Sequence, residues 1–208
     1  MGIPVLILGE SGSGKSTSMR NFETNEVGIF NVASKPLPFR KKIPKHDGSS
    51  YSTIMDKLSK PSLKKYVIDD SQYLLCFEMF RTAKETGYGK FTDMALHFYN
   101  LIQFIIKKTP PDVIVYFLHH IETLPDGKIK AKTVGKMLDE KLTVEGLFSI
   151  VLMCQTDGLS HKFITQSDGL TPAKSPMEMF EKEIDNDLKF VDTTIREYYE
   201  INESEESK

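Results

Sequence analysis

Residues 3–16 read IPVLILGESGSGKS. Ile3 to Leu8 form a short apolar run rich in branched side chains, the pattern of a strand buried on both faces. Gly9 to Ser16 follow at once with the spacing G-x-x-x-x-G-K-S. Glycines keep such a loop free of side chains, so that successive backbone N–H groups can turn inward around phosphate oxygens. On this reading Gly9, Glu10, Ser11, Gly12, Ser13, Gly14, Lys15, Ser16 and Thr17 form a nucleotide cradle. Lys15 supplies a point charge to the β- and γ-phosphates, and the Ser16 hydroxyl is offered to Mg²⁺. A helix predicted over about Lys15–Glu23 would add its positive N-terminal end.

Working outward, apolar runs alternate with helical patterns. Strands are predicted at Val27–Val32, Lys65–Asp70, Asp112–His120 and Leu147–Cys154, with a further one in HKFITQSDG from His161. Helices are predicted at Tyr51–Ser59, Gln72–Glu85, Thr92–Lys108, Lys136–Glu145, Met177–Glu183 and Asp187–Tyr199. The Pro- and Lys-rich stretch 33–50 reads as loop, and Thr123–Thr133 as a hairpin about Asp126-Gly127. Strands joined by crossover helices imply an α/β fold, a mostly parallel sheet flanked by helices, with a C-terminal hairpin and helical extension. The expected organisation is one domain over residues 1–200 and an acidic, disordered tail over 201–208.

The 208 residues carry a formal net charge of −2, so bulk electrostatics do not point to nucleic acid and any such site must be local. The two cysteines, Cys76 and Cys154, sit in apolar runs and read as reduced core residues. No apolar run is long enough for a membrane span. The chain enters a strand without a basic leader, which predicts no signal peptide. A cytoplasmic protein is expected.

Magnesium at a phosphate loop needs a carboxylate at the end of a neighbouring strand. Asp69 in YVIDDSQ is the first choice, with Asp70 aligning water or acting as base; exchange of the two roles stays open. His119 and His120 end the next strand and should lie beside that pair. His120 is the preferred sensor of the γ-phosphate. Lys128, Lys130, Lys132 and Lys136 face a single acid, Asp126, between Pro125 and Lys136. Alternating lysines on a hairpin can follow a phosphodiester backbone without reading sequence.

The succession of phosphate loop, VIDDS, a strand with a polar sensor, a basic loop and the TPAKSP element resembles a RecA-type P-loop NTPase core. The segments GKMLDEKLTVEGLFSIVL and FITQSDGLTPAKSPMEMF also resemble a family of phage ATP-binding proteins, minimal RecA-like cores associated with single-strand annealing and recombination. The resemblance covers most of the chain. It implies ATP and Mg²⁺ as ligands, with Gly9, Gly14, Lys15 and Ser16 on the phosphates and metal and Thr17 beside the nucleotide. It places Asp69 or Asp70 at the second magnesium motif and His120 at the sensor position. Lys174 becomes a cation acting across a subunit interface. The implied partners are single-stranded DNA, further copies in a ring or filament, and a single-stranded DNA-binding protein. One departure stands out: the stretch after the second strand, IFNVASKP, lacks the acid that serves RecA as catalytic glutamate, so slow or DNA-stimulated turnover is expected. The competing readings are an ATP-dependent assembly or loader switch and a nucleotide kinase. The kinase is disfavoured because the four arginines form no cluster.

Overall fold

The computed structural model describes residues 1–87, 89–135 and 143–201. Its first strand, β1 (Ile3–Gly9), shows why the opening apolar run folds as it does. Val5 and Ile7 point into one hydrophobic cluster, and Leu6 and Leu8 into another on the opposite face. All four are fully buried. Burying each such side chain is worth about 1.5–3 kcal/mol, so this strand lies where both faces are covered.

The strands that follow are β2 (Gly28–Asn31), β3 (Lys45–Asp47), β4 (Lys65–Asp69), β5 (Ile114–Thr123), β6 (Ile129–Ala131), β7 (Ile150–Thr156), β8 (His161–Ile164) and β9 (Glu183–Asp185). They form one nine-stranded sheet in the order β3-β2-β4-β5-β1-β7-β8-β9, with β6 paired to β5. The six strands from β3 to β7 in that order run parallel, with Gly9 opposite His120 and Asn31 opposite Asp69. The pairs β5–β6, β7–β8 and β8–β9 are antiparallel. The protein is therefore α/β with a mostly parallel sheet flanked by helices.

Helices α1 (Tyr51–Ser59), α2 (Gln72–Arg81) and α3 (Gly89–Lys108) cover one face, and α4 (Leu188–Tyr198) covers the other. In α3 the buried positions Met94, Phe98, Leu101, Ile102 and Ile105 follow the helical period. Ser50 caps α1 through Thr53 N, and Asp187 caps α4 through Lys189 N and Phe190 N. Arg196 on α4 donates to Asp192 Oδ2 and to the carbonyls of Asp112 and Lys64, which fastens the helix under the starts of β4 and β5.

Three expectations are corrected. The helix expected over Lys15–Glu23 is a six-residue 3₁₀ turn, Ser16–Asn21. The Ser18 N–H is shared between the Gly14 and Lys15 carbonyls, its hydroxyl also bonds Lys15 O, and Phe22 turns extended to reach full burial. So short a turn supplies no helix N-terminal site. Within the stretch expected to be loop, residues 45–47 form the edge strand β3; its three polar residues carry no apolar alternation to announce it. Met177–Glu183 is not helical. Met179 N bonds back to Pro176 O, Glu178 is left-handed at φ 62°, and the chain then joins β8 through β9. Of the helix expected over Lys136–Glu145, residues 136–142 lie outside the described residues, and Val144–Leu147 is a 3₁₀ turn. In the expected disordered tail, residues 202–208 lie outside them as well.

Candidate functional site

Ligands in open parallel sheets bind beyond the carboxyl ends of the strands. Here the loop after β1, the ends of β4 and β5 and the connection after β2 meet around a cleft of about 220 Å³. Ser11, Gly12, Gly14, Lys15, Ser16 and Thr17 line it from the loop, and Lys35, Pro36, Pro38, Asp69, Asp70 and His120 line it from the segments at the ends of β2, β4 and β5. Gly12 and Gly14 are left-handed, at φ 81° and 100°. A Cβ on Gly14 would also stand 2.8 Å from the His161 ring, so glycine is required there twice over. Gly9 and Ser13 of the same loop are buried and do not line the cleft. Lys15 is 6% exposed and folds back, donating to Gly9 O at 2.9 Å and Glu10 O at 2.7 Å. Burial lowers its pKa from the usual lysine value. Glu10 itself is exposed.

The two aspartates separate at the end of β4. Ser16 donates its hydroxyl to Asp69 Oδ1 at 2.7 Å, across 53 residues of chain. Burial raises the Asp69 pKa. Asp70 is left-handed at φ 61° and turns elsewhere. Its Oδ2 accepts from Lys35 Nζ at 2.7 Å, and its Oδ1 lies 3.2 Å from His120 Nε2. Burial alone would raise the Asp70 pKa, but the bonds from His120 and Lys35 outweigh it and hold the pKa below the usual value.

The histidines at the end of β5 also divide. His120 borders the cleft beside Asp70 and the edge of Tyr73. His119 points into the core, fully buried, with Ser71 Oγ at 2.9 Å from Nδ1 and Lys132 O at 2.8 Å from Nε2. Burial lowers its pKa to about 4. It therefore joins the segment after Asp70 to the segment after the hairpin and does not face the cleft.

The hairpin forms as expected, with Glu122 opposite Lys130 and Thr123 opposite Ile129. Lys128 lies 3.5 Å from Asp126, Lys130 lies 3.6 Å from Glu122, and Lys132 is exposed. Lys136 lies outside the described residues. Lys174 forms an antiparallel bridge with Val151 on the outer edge of β7 and does not border the cleft of its own chain. Cys154 is buried and Cys76 half-buried, both as free thiols.

Two contributors escape a reading of the sequence. Lys35 sits in a Pro-rich connection, where lysine is an ordinary surface residue. The C-terminal extension braces the loop from below: His161 Nδ1 on β8 donates to Ser13 O at 2.9 Å, and so does Cys154 Sγ, which accepts from Asn186. Arg20 bonds Asn186 in turn. Nothing local at His161 announces contact with a loop 148 residues away, or at Asn186 contact with Cys154 and Arg20.

Among the described residues, no three His, Cys, Asp or Glu side chains converge to hold a metal on their own, and no helix is long and apolar enough to cross a membrane. Comparison with protein-family models and with curated proteins returned no match.

Proposed function

We propose that the chain is a RecA-like P-loop protein that binds ATP with Mg²⁺, hydrolyses it slowly, and acts on single-stranded DNA in recombination, annealing or replication. One observation carries this reading: the Ser16 hydroxyl of the G-x-x-x-x-G-K-S loop meets the Asp69 carboxylate at the end of β4, with β5 lying between that strand and β1. The residues present fit both ligands. A loop with left-handed Gly12 and Gly14 leaves room for phosphate oxygens beside its amides, and Lys15 rests on carbonyls that a phosphate can replace. Ser16 and Asp69 are the oxygen donors that would hold Mg²⁺, a cation that keeps several waters and takes phosphate oxygens as further ligands. Bound there, the metal supplies charge neutralisation to the phosphates.

In this reading Asp70 is the carboxylate that takes the proton when a water oxygen bonds the γ-phosphorus and the bridging oxygen leaves with ADP. Its pKa is held low, which makes it a weak base, and Lys35 stands in the connection after β2 where RecA has its glutamate. Both facts support slow turnover. The hairpin carrying Lys128, Lys130 and Lys132 leaves the same edge of the sheet as His120, and the Lys132 N–H bonds His120 O at 2.8 Å. That bond is a direct route from the cleft to a basic segment. Ring or filament assembly through Lys174 belongs to the same reading.

The ion pairs of Lys128 with Asp126 and of Lys130 with Glu122 reduce the charge available to a DNA backbone. They favour a second reading, an ATP-dependent assembly or loader switch without DNA. Calorimetry with MgATP and phosphate-release assays, with and without single-stranded DNA, test both. Lys15→Ala should weaken MgATP binding by about 100-fold, the scale of a lost charge-assisted contact. Asp69→Asn should abolish turnover while sparing much of the binding. Tight ATP binding by Lys15→Ala overturns the reading of the site; turnover indifferent to DNA selects the switch.

A further inference from the structure

We propose that Lys35 is a γ-phosphate-sensing cation: it exchanges Asp70 for the terminal phosphate and so gives the site its preference for nucleoside triphosphate over diphosphate. The inference rests on the nucleotide reading above and adds a residue and a specificity to it.

The main chain of Lys35 is anchored, and its side chain reaches the cleft without being buried. Asn31, fully buried at the end of β2, donates Nδ2 to Lys35 O at 2.7 Å, and Pro36 follows directly. The preceding residue, Ser34, is held left-handed at φ 56°. Because Asn31 lies opposite Asp69, this anchor sets Lys35 at the strand ends that form the cleft. The ammonium group reaches Asp70 Oδ2 at 2.7 Å and lies 4.8 Å from the centre of the Tyr73 ring, yet the side chain stays 54% exposed. It is a placed cation that has not been spent on burial. The Asp70 partner outweighs partial burial and raises its pKa, so it remains charged.

Position decides which phosphate it meets. Lys15 and Ser16 of the loop line the cleft together with Lys35, Asp70 and His120, and it is Asp69 that meets Ser16, which leaves Asp70 to Lys35. A diphosphate on the loop leaves the Lys35–Asp70 pair intact. A terminal phosphate in this cleft would share it with Asp70, and two like charges would face each other unless a cation stands between them. Lys35 is that cation. Its transfer to the phosphate also frees Asp70 Oδ2 to accept a proton from water. Removing Lys35 both deletes an attraction and exposes the Asp70 charge to the terminal phosphate, so the triphosphate suffers more than the diphosphate.

Calorimetric titration with Mg²⁺ and either ADP or the β,γ-imido analogue of ATP tests this without turnover. Lys35→Ala should lower the triphosphate-to-diphosphate affinity ratio by about 10- to 100-fold, the range for one charge-assisted hydrogen bond. Lys35→Arg should keep most of the ratio, and Asp70→Asn should keep or increase it. An unchanged ratio in folded Lys35→Ala, with the wild type binding both nucleotides, overturns the inference and leaves the nucleotide site standing. A folded wild type that binds neither nucleotide overturns the site reading, and the inference with it.

Discussion

His119 predicts how stability depends on pH. A carbonyl oxygen can only accept, so the 2.8 Å contact with Lys132 O places the ring proton on Nε2. Nδ1 then accepts from the Ser71 hydroxyl. In that neutral state both ring nitrogens are satisfied inside the core. Burial lowers the pKa to about 4 from the ordinary 6.5; the Lys132 bond opposes this, and the nearby charges of His120 and Lys15 add to it. The folded pKa lies below the unfolded one. Between the two, the unfolded chain binds the proton and the folded chain does not, so stability rises with pH. The contribution is complete above pH 6.5 and is lost as pH falls toward 4. A shift of 6.5 − 4 = 2.5 units, at about 1.4 kcal/mol per unit, is worth about 3 kcal/mol. That is a large share of the roughly 5–15 kcal/mol that holds a typical domain together. Urea unfolding followed by circular dichroism at steps between about pH 7 and pH 4, on the wild type and His119→Gln, isolates this group, because other titrations are common to both. The wild type should lose about 3 kcal/mol more than the variant across the window. Parallel pH profiles for the two proteins would refute the assignment of His119 as a buried neutral link.

Replacing Lys128, Lys130 and Lys132 by Ala should weaken single-stranded DNA binding equally across sequences; each lost phosphate contact lowers the slope of log K against log salt by about 0.7. Fluorescence titrations at several salt concentrations read this directly, and the two pairs with Asp126 and Glu122 make a drop of fewer than three contacts the expected result. If Lys174 acts on a neighbouring subunit, Lys174→Ala and Lys15→Ala should each be inactive alone and regain ATP turnover when mixed. Normal turnover by Lys174→Ala alone, with DNA present, would leave Lys174 as an edge residue beside Val151.

The parts whose causes are local were legible in the chain alone. Glycine spacing after an apolar run specified the first strand and the glycine-rich loop after it, period-3.6 and doubly buried runs specified the principal helices and parallel strands, and an acidic pair was legible at the end of a strand. The tertiary structure decided the rest, because it turned on contacts between distant segments. Which aspartate meets Ser16 depends on the left-handed turn at Asp70, and two adjacent carboxylates look alike in a sequence. His119 and His120 are equivalent until the strand's alternation sends one into the core and leaves the other at the cleft. Lys35 reaches Asp70 because β2 lies next to β4, and His161 reaches Ser13 because β8 folds back along β7. The helix expected after the loop tightened into a 3₁₀ turn because burying Phe22 and bonding Ser18 to Lys15 outweighed continued helix. In each case the side chain's own chemistry was legible beforehand, but its partner was set by strand order, which brings together residues that no local pattern connects.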